Sequence, residues 1–148
     1  MAQASASIDI PVSPDQVWQL IGGFDSLPDW LPFIPKSALS EGGRVRRLAN
    51  SNGEAIVERL VAFDDAARSY SYAILRGPLP VTGYLSTLRV QETDDGNGSR
   101  VEWSGQFTPN GVSDQEASRL LQGIYEDGLK ALATHEYQKD FASEGGET

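Results

Sequence analysis

The order of the predicted elements indicates an α+β fold. Weak alternation in residues 3–10 predicts a first strand, and two short helical segments follow it. From Lys36 to Phe107, short apolar runs separated by turn sequences predict six more strands, and the short reversals favour an antiparallel meander. A helical repeat from Ser113 through roughly residue 137 predicts one long helix. Because that helix needs an apolar partner and the sheet is the only large one, we expect the helices on one face of the sheet.

Capping sequences mark the starts of the helices. In "SPDQ" (13–16) serine is the N-cap and proline takes the first helical position, and "SDQE" (113–116) is a second capping box. Shortly after the first of these helices, the segment "FDSLPDWLPFIP" (24–35) is rich in proline and has room for only one short helical turn, between Asp25 and Leu31.

The long helix carries an apolar stripe at helical spacing. The stripe consists of Ala117, Leu120, Leu121, Ile124, Tyr125, Gly128, Leu129, Leu132 and His135. We expect Leu120 and Ile124 to face the sheet. Gly128 lowers helix stability, which indicates space beside it. His135 is the only histidine, and its place near the helix C-terminus favours an interaction with the helix dipole over catalysis.

The apolar pattern also predicts one strand register. The pairs are Val90 with Val101, Leu88 with Trp103, Ser86 with Gly105 and Tyr84 with Phe107. A shift by one residue would place Leu88 against a polar residue. Gly83 and Gly105 lie within these strands, where glycine permits a bulge or a sharp bend, so we expect a strongly curved sheet.

Composition and charge exclude several classes of protein. The chain has 148 residues, 39% of them hydrophobic, which favours a single domain, expected over residues 1–137. Residues 138–148 are polar, and we expect a disordered tail there. A net charge of -9 argues against nucleic acid as a partner, and no apolar run is long enough to enter a membrane. Without a signal sequence, we expect a soluble cytoplasmic protein.

Metal and cofactor chemistry has little support in the sequence. The chain has no cysteine and one histidine, so a metal site would need carboxylates alone. The acidic pairs at 64–65 and 94–95 lie in predicted turns, where solvated carboxylates are ordinary. No phosphate-binding loop or nucleophile elbow is present. We therefore expect neither a metal nor a cofactor.

The strand "EAIVERLVAFDD" (54–65) carries one charge on each face. Ile56, Glu58, Leu60 and Ala62 point one way, and Val57, Arg59, Val61 and Phe63 point the other. Burying an ionised group is costly unless it is paired or wet. Two interpretations stay open for Glu58: it lines a wet cavity while Arg59 faces solvent, or it forms a structural pair across strands with Arg76 or Arg89.

Four sequence patterns resemble one superfamily. They are "P.S.D.VW.LI" (11–21), "ERL...DD" (58–65), "Y.S.L.V" (84–90) and "VEWSG.F" (101–107). With the element order, they are similar to the helix-grip superfamily of START-like lipid-transfer domains, birch-pollen-type allergens, polyketide cyclase/dehydrase-like (SRPBCC) proteins and, more distantly, abscisic-acid receptors. The resemblance implies a curved seven-stranded antiparallel sheet around a long C-terminal helix, with two short helices after the first strand and an elongated cavity between sheet and long helix.

The resemblance also implies site residues. Glu58 matches the cavity glutamate of the abscisic-acid receptors, and Tyr84 and Ser86 match their cavity pair. Loops 49–53 and 77–81 match the gate and the facing latch. The gate residues would be Asn50, Asn52 and Gly53, and the latch residues Pro78, Leu79 and Pro80. Leu31 stands where those receptors hold the lysine that pairs with the carboxylate of the hormone, so recognition of that hormone is not implied.

These observations favour a binder of a small, mostly apolar ligand such as a lipid, polyketide or terpenoid-like molecule. The expected ligand-binding residues are Phe33, Ile56, Glu58, Tyr72, Tyr84, Ser86, Leu88, Trp103, Leu120 and Ile124. One alternative is a cyclase or dehydrase in which Glu58 is the general acid or base and Tyr84 polarises an oxygen. Another is an interaction module whose gate and latch loops present a surface to a protein partner.

Overall fold

The computed structural model describes residues 2–135, and its strands and helices follow the predicted order. The elements are β1 (Ala2–Ile10), α1 (Pro14–Ile21), α2 (Leu27–Trp30), β2 (Lys36–Ser40), β3 (Val45–Ala49), β4 (Ala55–Asp64), β5 (Ser69–Arg76), β6 (Val81–Glu92), β7 (Ser99–Pro109) and α3 (Asp114–Ala133), with a single 3-10 turn at Glu41–Gly43. The predicted tail, 138–148, lies outside the described residues. Within residues 2–135, no helix is long and apolar enough to cross a membrane.

All seven strands form one antiparallel sheet in the order β1-β7-β6-β5-β4-β3-β2. Strands β2 to β7 follow each other as a meander, and β1 joins the sheet at β7. The long helix α3 packs on β1 and β7, and its buried side chains join one hydrophobic core with those of the sheet. The predicted α+β class, with a curved sheet around a C-terminal helix, is confirmed.

The predicted pairing of β6 with β7 is confirmed at Val90 with Val101, Leu88 with Trp103 and Ser86 with Gly105. The register shifts between Thr82 and Leu85, at the predicted position of a bulge. Gly83 takes a φ of 59° there, in the left-handed region that favours glycine. Tyr84 still reaches its predicted neighbour, because its ring stacks on that of Phe107 with the centroids 6.1 Å apart.

Gly105 has a different role from the predicted bend. The ladders on both sides of β7 continue through it, with Ala4 opposite in β1 and Ser86 opposite in β6. A Cβ at this position would collide with the hydroxyl oxygen of Tyr125 on α3. Glycine is therefore needed because the helix side chain comes directly against the strand backbone.

A second bulge changes the prediction for one residue of β4. Glu58 is buried and Arg59 is partly exposed, as the alternation predicts. The register shifts between Leu60 and Ala62, so residues beyond that point change faces. Phe63 consequently lies opposite Tyr70 rather than on the face of Arg59. Its ring stacks on Trp18 of α1, with the centroids 5.8 Å apart.

The buried face of α3 is narrower than its apolar stripe. The side chains of Ala117, Leu121, Tyr125, Leu129 and Leu132 are buried. Leu120, which was predicted to face the sheet, is 41% exposed, so that prediction was wrong. Helical geometry explains the difference, because Leu120 lies at the margin of the stripe whose centre is Leu121 and Tyr125.

Both predicted helix caps are formed. The Ser13 hydroxyl accepts a hydrogen bond from the Gln16 N–H at 3.3 Å, and the Ser113 hydroxyl accepts one from the Glu116 N–H at 3.0 Å. Replacing Ser113 with alanine removes this acceptor, so we expect the free energy of unfolding to fall by about 1 kcal/mol in urea titrations. Ser118→Ala, inside the same helix, is the control and should cost nothing. Equal effects of the two changes would contradict the capping role.

Candidate functional site

A cavity of about 170 Å³ lies between the sheet, the segment around α2 and the helix α3. Its inner part is formed by buried side chains, among them Arg46, Glu58, Tyr72 and Tyr84. The outer part is formed by half-buried or exposed residues of the adjoining loops and of α3. The cavity therefore runs from a polar inner end, through aliphatic and aromatic walls, to a rim near the loops.

Many residues predicted around the ligand line this cavity. They are Phe33, Ile56, Glu58, Tyr72, Tyr84, Trp103 and Ile124, together with Asn50, Pro78 and Leu79 from the two predicted gate loops. The fold brings them together because β4 to β7 place alternate side chains on one face and α3 crosses above that face. Their function as ligand contacts stays a prediction.

Other predicted residues lie elsewhere. Leu88 is only 1% exposed and belongs to the packed core, outside the cavity. The Ser86 hydroxyl donates to the Ser104 carbonyl oxygen at 2.7 Å and accepts from the Trp103 indole N–H at 3.1 Å. It therefore helps to hold the Trp103 ring, which lines the cavity, but is not part of the lining itself. Leu120 is also outside the lining. From the two loops, Asn52, Gly53 and Pro80 do not contribute to the lining either.

Gly128 does not provide the space that its small size predicted. A Cβ at this position would stand 2.7 Å from Cζ3 of Trp103 and 2.9 Å from Cδ1 of Leu31. The room beside this glycine is filled by two side chains of the core. The indication of a cavity from Gly128 was therefore wrong, because the glycine serves close packing.

An ion pair between Arg46 of β3 and Glu58 of β4 closes the inner end of the cavity. The Arg46 Nε donates to Glu58 Oε1 at 2.8 Å, and Nη2 lies 2.8 Å from the same oxygen. The Arg46 Nη1 donates to the Phe24 carbonyl oxygen at 3.1 Å and to the Tyr70 hydroxyl at 3.3 Å. The guanidinium also lies over the rings of Phe24 and Tyr72, 4.2 and 4.7 Å from their centroids. The cation is thus held by hydrogen bonds and aromatic faces together.

Electrostatics at this pair reflect two opposing effects. Burial raises the pKa of the Glu58 carboxyl above its usual value, and the Arg46 guanidinium opposes that shift. Burial disfavours the charged form of Arg46, but the neighbouring Tyr70 and Glu58 outweigh it and raise the pKa of Arg46 further. The guanidinium therefore remains charged and stabilises the Glu58 carboxylate.

The identity of the cation corrects the sequence analysis, which offered Arg76 or Arg89 as partners of Glu58. Both of those arginines are exposed. Arg46 lies directly opposite Glu58 in the β3–β4 ladder. The signal that could have pointed to it is the turn region after β3: the observed five-residue loop 50–54 sets Ala49 opposite Ala55 and therefore Arg46 opposite Glu58. A two-residue Asn52-Gly53 turn would have set Arg46 opposite Arg59 instead.

A second set of polar atoms beside the cavity consists of tyrosine hydroxyls and a tryptophan indole N–H. The hydroxyls of Tyr84 and Tyr125 are hydrogen-bonded to each other at 2.5 Å, and burial raises the pKa of both phenols. The Trp103 indole N–H donates to the Tyr72 hydroxyl at 3.1 Å, and the Trp103 ring stacks on that of Tyr125. Tyr125 was placed only in the apolar stripe by its spacing, because sequence alone does not reveal the partner of its hydroxyl.

The side chain of Asn50 organises the first predicted gate loop. Its Oδ1 accepts from the backbone N–H groups of Asn52 at 3.0 Å and Glu54 at 2.9 Å, and its Nδ2 donates to the Glu54 carboxylate. Such a local turn satisfies the asparagine within its own loop. Among residues 2–135, no three histidine, aspartate or glutamate side chains are grouped to hold a metal ion.

A sheet curved around a long C-terminal helix, with a cavity between them, defines the helix-grip fold. Ara h 8.0201, at 20% identity, has the same fold with a TM-score of 0.64 over 90% of this chain and 98% of that chain. Residues 1–135 match the family described as polyketide cyclase/dehydrase and lipid transport. The chain belongs to this family, which together with the fold supports a ligand-binding or cyclase role.

Two relatives illustrate how far the similarity extends. The structure of XoxI from Bacillus cereus is 61% identical, with a TM-score of 0.88 over 90% of this chain and 94% of that chain. An uncharacterized protein of Mycobacterium tuberculosis is 28% identical over 146 residues, which cover 90% of this chain and 97% of that protein. In both comparisons the similarity extends over about nine-tenths of this chain.

Proposed function

We propose that the protein binds a small, mostly apolar molecule in the cavity between the sheet and α3. The observation that carries this proposal is the cavity itself: aliphatic and aromatic side chains form its walls, and an ion pair and phenols stand at its inner end. Ligand sites have this character, with apolar walls and a few placed polar groups. The family description, which includes lipid transport, supports the same function.

The volume limits the size of the ligand. At about 170 Å³ the cavity is smaller than the roughly 300–1,000 Å³ that is typical of drug-sized ligands. A dry apolar cavity of about 150 Å³ is nevertheless large enough to bind benzene. We therefore expect a ligand, or a buried ligand part, of about the size of a substituted benzene ring.

The test fills the cavity with a larger side chain carried by helix α3. Ile124 lines the cavity, and Ile124→Trp places a larger side chain there. We expect this variant to bind toluene and benzyl alcohol at least tenfold more weakly than the wild type in ¹H–¹⁵N NMR titrations. Leu120→Trp, one helical turn earlier at an exposed position, is the matched control and should bind as the wild type does.

Two outcomes would contradict the proposed binding. One is that neither compound shifts the resonances of cavity residues in the wild type at millimolar concentration. The other is that the two tryptophan variants bind equally well. Native mass spectrometry of the purified protein adds an independent measurement, since a retained natural ligand should be lost selectively from Ile124→Trp.

A cyclase or dehydrase reaction is the second candidate function. It is favoured by the family description and by a cavity carboxylate, Glu58, whose pKa burial raises toward the range useful for acid–base catalysis. Tyr84 would act there as a hydrogen-bond donor, because its phenol stays neutral. Dehydration of 4-hydroxy-2-butanone, followed by the vinyl NMR signals, tests this candidate. A rate equal to that in buffer would count against it, as would an undiminished rate in Glu58→Gln.

A further inference from the structure

The cation at the inner end of the cavity already has protein partners for most of its N–H donors. Arg46 is only 1% exposed, and its Nη1 donates to both the Phe24 carbonyl and the Tyr70 hydroxyl. Its Nε donates to Glu58 Oε1, and Nη2 contacts that oxygen as well. At most one N–H of the five in a guanidinium is left without a partner. An anionic ligand would therefore find at most one free N–H on this buried cation and would have to break existing bonds to gain a two-point contact.

The carboxylate, in contrast, keeps an unused acceptor. Both nitrogen contacts from Arg46 go to Oε1, and Oε2 of Glu58 has no hydrogen bond to any residue in 2–135. The Glu58 side chain is 8% exposed, against 1% for that of Arg46. In the described part of the chain, the one fully enclosed side-chain polar atom without a partner is Nε1 of Trp30. Oε2 is thus not sealed, and it belongs to a residue that lines the cavity.

We infer that the cavity selects an uncharged molecule carrying a hydrogen-bond donor, such as an alcohol or a phenol, and discriminates against carboxylates. This inference deepens the proposed binding function and rests on it. Glu58 and Arg46 are its specificity-determining residues, because the first offers the free acceptor and the second is held away from ligands by its own partners.

The physical argument concerns the cost of placing each group beside Oε2. A hydroxyl donates a hydrogen bond to a charged acceptor, which is among the stronger neutral-to-ion contacts. A carboxylate would lose its hydration next to a second carboxylate, with the neighbouring guanidinium already occupied. A hydrocarbon of the same shape would leave Oε2 unsatisfied. Discrimination therefore comes from repulsion of carboxylates as well as from attraction of molecules with a hydroxyl group.

The test uses three compounds that share one ring and differ in one group: toluene, benzyl alcohol and benzoate. Binding is measured on the full chain by ¹H–¹⁵N NMR titration at pH 8, where benzoate is ionised. We expect benzyl alcohol to bind about tenfold more tightly than toluene and more than tenfold more tightly than benzoate. Binding of toluene and benzyl alcohol within twofold of each other, or tightest binding of benzoate, would overturn the inference while the proposed binding function stands. Failure of all three to bind would overturn both.

A double variant tests the assignment to the ion pair. Arg46→Met with Glu58→Leu replaces the pair by apolar side chains, and we expect the preference for benzyl alcohol over toluene to disappear. The matched control is Glu41→Leu with Arg59→Met, which makes the same kind of change in an exposed pair 3.3 Å apart and should keep the preference. A preference that survives in the Arg46/Glu58 variant would overturn the assignment, and the wild-type comparison decides the selectivity even if that variant fails to fold.

Discussion

Replacing Arg46 alone with methionine is expected to lower the free energy of unfolding by about 3–5 kcal/mol, the largest effect predicted for this chain. The change leaves Glu58 buried without its cation, and it also removes the hydrogen bonds to the Phe24 carbonyl and the Tyr70 hydroxyl. Without the guanidinium, no neighbouring cation offsets the cost of burying the charged Glu58 carboxylate. Urea unfolding followed by tryptophan fluorescence measures the loss.

The control for this prediction is the double variant Arg46→Met/Glu58→Leu. Replacing both members of a buried ion pair with apolar side chains is often neutral or stabilising, so we expect most of the lost stability to return. If the single and double variants were equally destabilised, the loss would come from packing around Arg46 rather than from the unpaired carboxylate. A single variant that lost less than about 1 kcal/mol would contradict the burial argument as well.

Gly128→Ala is expected to destabilise the protein by about 1–3 kcal/mol, although alanine favours a helix over glycine by about 1 kcal/mol. The new Cβ would stand 2.7 Å from the Trp103 ring and 2.9 Å from Leu31. Both neighbours are buried, at 5% and 2% exposure, so the new Cβ meets packed core side chains rather than mobile surface groups. Thermal and urea unfolding measure the effect.

Gly123 on the same helix supplies the matched control. A Cβ at Gly123 would have no atom within 4 Å, so Gly123→Ala should gain about 0.5–1 kcal/mol from helix propensity alone. The two substitutions are chemically identical, and their difference isolates the packing against Trp103. If both substitutions stabilised the protein, the side chains around Gly128 would move aside at little cost, and this result would contradict the packing role of Gly128.

Local patterns in the sequence were sufficient to predict most of the fold. The capping serines, the alternation in the strands and the turn sequences act over a few residues, and each predicted element appears within a few residues of its expected place. The register of β6 on β7 also follows from the sequence, because a shift by one residue would turn the apolar side chains away from the core. The bulge at Gly83 has a local cause as well, since glycine readily takes a positive φ.

The candidate site was less predictable. Glu58, Tyr72 and Tyr84 were predicted as ligand-binding residues, and the structure brings all three to the cavity lining. Alternation failed for Phe63, because a bulge with no glycine in it reversed the faces of β4. The role of Gly128 was also misjudged, since a small residue leaves room for either a ligand or a neighbouring side chain, and only the positions of Trp103 and Leu31 distinguish the two.

By itself, the sequence determined the class of fold, the order of its elements and the presence of a charge on the inner face of β4. Those properties depend on the period of apolar residues and on turn chemistry, which are local. Only the tertiary structure decided that Arg46 neutralises that charge, that one oxygen of Glu58 stays free and that the cavity is small. These depend on distances between side chains far apart in the chain, which result from how tightly the sheet closes on α3.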